Sequence, residues 1–259
     1  EQKIASHGKA IEKRRAKLQE GQSAWEAQRL KENSVSTWET LRPVAARAKN
    51  QTLHLQEDRS VLAKGKLPGQ DEYFLQTAVP TSSFSHVRLE ALQHASLPSG
   101  GLSRVKGGNF VLTDIKLILE EPDQEPREVK LTGARATYNQ GGLDVKQAID
   151  DNKGSGWGVW PGPKGVKQPH TAIFTLAEPL KPEPAARLVF QLKFNHSAKQ
   201  HVMGRFRVSV SSSAKPDFGT SGLAEALKTK PAQRSKEMKE LIAREYSQND
   251  PELLKLQTE

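Results

Sequence analysis

The apolar positions of this chain change their period twice. Over residues 2–31, Ile4, Ile11, Leu18 and Trp25 recur every seven residues, with Ala10 and Ala24 beside the row. The stretch has no proline and few β-branched residues. It predicts one helix with a narrow seam, as in a coiled coil. The second row is poor, because Gly8, Arg15 and Gln22 fall where apolar residues belong. Such a helix needs a partner. The far end of the chain supplies one: Ser235 can cap a helix whose apolar face is Met238, Leu241, Ile242 and Tyr246. Asn249-Asp250-Pro251 breaks it, and a short last helix carries Leu253, Leu254 and Leu256. An earlier helix, Leu223–Leu227, precedes Pro231. The two ends are expected to meet as a helical hairpin or stalk.

Between them the period becomes two. Residues 52–56, 60–64, 73–79, 86–92, 110–119, 127–138, 170–177, 186–194 and 204–211 alternate or are rich in β-branched side chains. Gly, Pro, Asn and Asp clusters separate them. Short strands in such number, with little helix between them, predict a mainly β fold, an antiparallel sandwich or jelly roll. The expected organisation is a helix over 1–33, a β-sandwich over 34–214 and a helical segment over 215–259 that packs on the first helix. The longest irregular stretch is Ser96–Gly108. Long loops on a β-scaffold are where function usually sits.

Composition narrows the classes. The 259 residues are 35% hydrophobic, enough for a sizeable core. No apolar run approaches the ~20 residues of a membrane span. Position 1 is Glu, which reads as an internal or processed end, so a missing targeting segment says nothing about compartment. Cysteine is absent, which excludes disulfides, thiolate metal sites, a Cys nucleophile and, within this stretch, a c-type haem motif. The net charge of +9 is uneven: residues 1–50 hold 11 Lys/Arg against 6 Asp/Glu. A basic balance attracts nucleic acid, anionic lipid or a sulfated polymer; the plainer alternative is a solvated helix face. Aromatics are only 6% and no binding motif accompanies the basic helix, so nucleic acid is not expected.

Candidate chemistry gathers in Ala148–Trp160, AIDDNKGSGWGVW. Calcium takes six to eight oxygens from carboxylates, carbonyls and hydroxyls on a flexible turn. Asp150, Asp151, Asn152 and Ser155 offer that chemistry, and Gly154 and Gly156 permit a tight path. The alternative is an Asx turn closed by Asp150. Trp160, before Pro161-Gly162-Pro163, is the better candidate for a sugar platform, because sugar C–H faces pack on exposed rings. Trp157 reads as core. His170, Asn195, His201 and Arg205 are candidates to hydrogen-bond sugar hydroxyls, against satisfied polar groups at strand ends. The spacing of His196 and His201 matches no zinc pattern. Arg205 and Arg207 alternate with Phe206 and so share a sheet face, solvated or anion-binding. No Gly-x-Ser-x-Gly elbow, phosphate loop or His-Glu-x-x-His helix is present, and adjacent Asp150-Asp151 do not form a glycosidase pair. A non-enzyme is expected.

Residues 148–157 resemble the Ala-hydrophobic-Asp-Gly-Asn-x-x-Thr-x-Trp loop of discoidin-like domains, the galactose-binding-like jelly rolls also called coagulation factor 5/8 type C domains. Further pieces follow in order: Trp38-Glu39-x-Leu41-x-Pro43, Asp58-x-Ser60-Val61-Leu62-Ala63-x-Gly65, Arg88–Leu92, Ser96-Leu97-Pro98, Gly108–Leu112, Pro169–Ala172, Gly204–Val210, Arg234-Ser235 and Asp250–Leu253. Together, over roughly 25–259, they resemble the middle region of large planctomycete-type multidomain proteins. There cytochrome-c-like and planctomycete-specific domains flank such a jelly roll. The resemblance implies an exported (periplasmic or extracellular) bacterial parent, with no haem in this stretch. It implies a structural calcium at Asp150 and Ser155, with Asp151 where the family has glycine. The function expected is a non-catalytic carbohydrate-binding module, for a polysaccharide that the charge would make anionic or sulfated. Its rival is a structural module that spaces or docks flanking domains.

Overall fold

A computed structural model describes residues 13–14, 17–18, 21–30, 38–152, 154–160, 162, 166, 168–219 and 223–248. Ile4, Ile11 and the helix expected after Pro251 lie outside the described residues. The chain divides into two compact units, Glu1–Trp38 with Lys215–Glu259, and Glu39–Ala214.

The first unit is helical. Residues 21–30 (α1), Leu223–Lys228 (α2) and Lys236–Gln248 (α3) carry it. Ser235 caps α3, its hydroxyl accepting from the Met238 amide at 3.3 Å. Leu223, Ala226, Leu227 and Ile242 form the core, with Trp25, Met238 and Leu241 packed against them. Trp25 meets Tyr246 at 5.4 Å, and Arg234 pairs with Glu26 at 2.7 Å. Trp38, expected to open the sandwich, is buried in this unit, where its indole N–H donates to the Asp217 carbonyl at 2.9 Å.

The second unit is an antiparallel β-sandwich. The seven-stranded sheet runs β10 (Leu131–Ala136), β12 (His170–Leu180), β6 (Phe84–Ala91), β14 (Arg205–Ser211), β4 (Val61–Lys64), β3 (Thr52–Leu55), with β1 (Glu39–Thr40) also on β14. The five-stranded sheet runs β2 (Arg42–Ala48), β5 (Asp71–Ala78), β13 (Arg187–Phe194), β8 (Asp114–Glu120), β9 (Arg127–Val129). A short pair, β7 (Val111–Leu112) with β11 (Trp157–Gly158), completes it. Alternation sends Tyr73 and Leu75, Ile115 and Leu117, and Phe190 and Leu192 inward from one sheet. They meet Val87, Leu89, Phe174, Phe206 and Val208 from the other. The Tyr73 ring sits 5.7 Å from Phe206 across the layer.

Three departures from the expected strands have local causes. The run 110–119 breaks at Thr113, whose hydroxyl donates to the Lys193 carbonyl at 3.0 Å. The run 127–138 breaks at Lys130, where the chain passes from one sheet to the other. β2 carries proline and alanines and lacks a strand signature. It is an edge strand with an irregularity between Pro43 and Ala45, the place where a sheet tolerates proline.

The register sorts the loops into two ends. Phe194 pairs with Asp71, Lys193 with Asp114, and Ala91 with both His170 and Phe206. Connections 49–51, 65–70, 92–110, 137–156, 159–169 and 195–204 therefore share one end, β10 running out there as Ala136 pairs with Ala172. Connections 79–83, 121–126 and 181–186 share the other.

Candidate functional site

The loop end is organised around Trp157. Its ring is fully buried, edge-on to Phe110 at 5.0 Å, and its N–H donates to the Tyr138 carbonyl at 2.9 Å. Gly156 takes φ +153°, and a side chain there would strike the backbone of Leu112 and Thr113, with the Thr113 Cα at 2.8 Å. Trp157 is thus core, and it fixes where the chain emerges three residues later.

Trp160 is partly exposed. Its carbonyl accepts from the Tyr138 hydroxyl at 2.9 Å. Its ring lies against Gly107 of the long loop, so close that a Cβ there would come within 2.8 Å of the ring. Gly107 in turn accepts the Val166 amide at 3.4 Å. The ring is therefore seated on a neighbouring loop and its backbone is pinned from behind. Tyr138 and Gly107 escaped the sequence reading. The sequence placed Tyr138 inside a strand over 127–138, whereas β10 ends at Ala136 and leaves Tyr138 in the loop.

His170 adjoins this group but does not face out. It is 3% exposed, stacks on Tyr138 at 5.2 Å, and has Nδ1 3.3 Å from the Thr137 hydroxyl. Burial lowers its pKa to about 4, so the ring is neutral near pH 7. As placed, it supports Tyr138 and has no surface to offer a sugar.

Asn195 and His201 share the β13–β14 connection, separated from Trp160 by β7. The Phe110 carbonyl accepts from Val159 at 3.4 Å, while the Val111 amide donates the other way, to His201, at 3.0 Å. Two strand spacings, roughly 10 Å, thus separate residue 159 from residue 201. Asn195 is exposed, and its carbonyl accepts from Gln70 at 2.6 Å. His201 is partly exposed, and its buried Nδ1 has no partner among the described residues. Burial, then His201, pushes the His196 pKa down.

Arg205 is spent internally. Its guanidinium donates to Ser60 at 2.9 Å, the Gln93 carbonyl at 3.0 Å and Asp58 at 2.6 Å. Arg207 forks onto Glu90 at 2.9 and 3.0 Å and lies 3.7 Å from Asp58. Arg88, fully buried, reaches Glu90 at 3.4 Å. The shared face of Arg205 and Arg207 is thus a charge ladder bound to its own carboxylates. Burial raises the Glu90 pKa, but Arg88 and Arg207 outweigh it and hold the carboxyl below its ordinary range.

The Asp150 loop closes on itself. Asp150 accepts from the Asn152 amide at 2.8 Å and from the Ser155 hydroxyl at 3.1 Å, and Asn152 accepts from the Gly154 amide at 3.0 Å. These are Asx turns. Asp151 takes φ +58°, a left-handed conformation that favours glycine, and its carboxylate reaches Lys116 at 3.6 Å. Converging oxygens amount to the Asp150 carboxylate, the Ser155 hydroxyl and the Asn152 carbonyl. Calcium takes six to eight. Among the described residues this donor set falls short of a calcium shell. Among the described residues no cluster of three or more His, Asp or Glu is arranged to hold a metal.

No protein-family model and no curated protein matches the chain. Among solved structures, it is similar to a chain from work on the "promiscuous specificity of the carbohydrate- binding modules from the beta-sandwich super family". The two are 13% identical with a TM-score of 0.23, over 65% of this chain and 54% of that one. The chain thus spans about half the length of that neighbour. A likeness at this score carries neither topology nor binding role across. Among the described residues, no helix is long and apolar enough to cross a membrane.

Proposed function

We propose that this chain is a non-catalytic carbohydrate-binding module whose platform is Trp160. The observation that supports it is the mounting of that ring: partly exposed, seated on Gly107 and held through its carbonyl by Tyr138. An immobilised aromatic loses little freedom when a sugar stacks on it, and that loss is a main cost of binding. Asn195, exposed on the same end, is a sugar-bonding candidate whose side chain has no hydrogen-bond partner among the described residues. The motif resemblance extends the proposal to a larger exported bacterial parent with flanking domains.

A glycan-array screen followed by titration of Trp160→Ala tests this. Loss of a stacking ring removes ~1–3 kcal/mol, by analogy with bases on aromatics, so affinity should fall by roughly 5- to 150-fold. Binding unchanged in that variant would sink the platform.

One observation favours a second reading. The segments before and after the sandwich close into one helical unit. That geometry suits a junction which spaces or docks neighbouring domains. An array blank for every glycan would favour it.

A further inference from the structure

The carboxylates of this chain are distributed with a bias that the overall charge conceals. Segments 40–56, 59–70, 91–113, 152–177 and 184–216 contain no Asp or Glu. The fold brings their connecting loops together at the Trp160 end. Arg104 donates to the Gly65 and Lys66 carbonyls, and the Gln200 amide donates to Gly69 at 2.7 Å. The Lys199 stem lies 3.6 Å from where a Gly69 side chain would begin. Lys106 precedes Gly107, on which Trp160 rests. A continuous strip therefore runs from Lys199, past Gly69 and Lys66, across Arg104 and Lys106, to the Trp160 ring.

Lys64, Lys66, Lys106 and Lys199 are exposed, and none has a carboxylate partner among the described residues. The carboxylates nearest in the chain are out of play: Asp71 is 2% exposed, and Glu72 is buried and paired with Lys49. Asp144, Asp150 and Asp151 lie on the connection that leaves β10 at this end, and its turn, Val145–Ile149, packs against β8, β10 and β11. Each is engaged locally, Asp144 capping the turn, Asp150 closing its own loop and Asp151 facing Lys116 at 3.6 Å. The opposite end carries exposed Asp123, Glu125 and Glu183.

Resting on the glycan reading above, we infer that this strip makes the module specific for an anionic polysaccharide, one bearing sulfate or carboxylate groups. The lysines supply spaced point charges, and Trp160 supplies the surface for one sugar ring. The same strip suits nucleic acid poorly. Arg104 and Arg205 have their guanidinium groups committed to the chain itself, so the bidentate phosphate forks are used up. A single aromatic also gives no run of stacked bases.

The test is titration of the whole chain with sulfated dextran, unsulfated dextran of equal length and single-stranded oligothymidine, each at low and high salt. Two double charge reversals are compared: K66E/K106E on the strip, and K130E/K181E, exposed residues beside β9 and just past β12. Both lower the net charge equally. Near-ultraviolet circular dichroism verifies that each variant is folded. Sulfated dextran should bind tightest, and more weakly as salt rises. The strip reversal should cost about tenfold or more and the other pair less than about twofold, because screened charges act locally. Equal losses from both pairs would reduce the effect to net charge and overturn the site. Unsulfated dextran binding as tightly would overturn the anionic class while leaving the glycan reading intact. Oligothymidine binding more tightly than sulfated dextran would overturn the choice of polysaccharide. If no glycan on the array or in titration binds, both readings fall together.

Discussion

Glu90→Gln is the substitution that bears hardest on the charge ladder. It keeps the shape and one acceptor but removes the charge on which Arg207 places two hydrogen bonds, at 2.9 and 3.0 Å, and Arg88 a third contact at 3.4 Å. The side chains of Arg88 and Glu90 are 0% and 6% exposed, so water cannot replace the missing carboxylate. Removing one partner of a buried ion pair costs about 3–5 kcal/mol, because the remaining charge stays desolvated. At about 2–4 °C per kcal/mol for a domain of this size, the melting temperature should fall by roughly 6–20 °C. The pH dependence gives a second readout. The Glu90 pKa is depressed in the folded state. Its contribution is therefore complete above the unfolded carboxyl pKa and disappears as pH falls through the lower folded value. The gap between wild type and variant should narrow in acid. Urea unfolding at pH 7 and again in acid measures both effects. A loss below about 1 kcal/mol at pH 7, the range of an exposed pair, would refute the idea that the ladder contributes to stability.

Other expectations are simpler to state. Gly156→Ala should destabilise by about 1–3 kcal/mol or more, since the new methyl meets the backbone at Leu112 and Thr113; chemical denaturation showing no loss would mean that β7 and β11 can part freely. His170→Gln should flatten the acid limb of the stability curve. The wild-type ring, with its pKa lowered to about 4, favours the fold above its unfolded pKa, and that advantage drains by about 1 kcal/mol per pH unit as pH falls toward 4. An unchanged acid limb would show that the ring is not buried in solution. Gly107→Ala should displace the Trp160 ring and weaken glycan binding with the fold retained; unaltered affinity would mean that the seat does not orient the platform. Calcium and a chelator should leave the melting temperature in place, because the Asp150 loop closes through its own hydrogen bonds; a rise with calcium would reinstate the metal.

Alternating Val, Leu, Ile and Phe made the central strands legible, because a half-buried strand must show period two. β2 was hidden by its alanines and Pro43, and β11 by its length of two residues. The distinction between Trp157 and Trp160 followed from their places in the loop. The roles of His170 and Arg205 did not. His170 is defined by Tyr138, 32 residues earlier in the chain, and Arg205 by Asp58, at a separation of 147. Local pattern carries no record of such partners. The lysine strip lay between these cases. Its carboxylate-free segments were visible in the letters, but only the register gathered them at one end.

The same register determines how the chain must fold. Tyr73 pairs with Leu192, and Val87 pairs with Phe174 and Val210. The central strands of both sheets therefore find their neighbours about a hundred residues away, whereas β3–β4 and β8–β9 are local hairpins. Loop closure must be met before those distant pairings return any free energy. Folding on the slow, millisecond-to-second side is the consequence, with β5, β6 and β12 left unpaired while the chain searches. Those apolar strands are then open to pairing between molecules, so recovery of native protein should improve at low concentration and in dilute refolding.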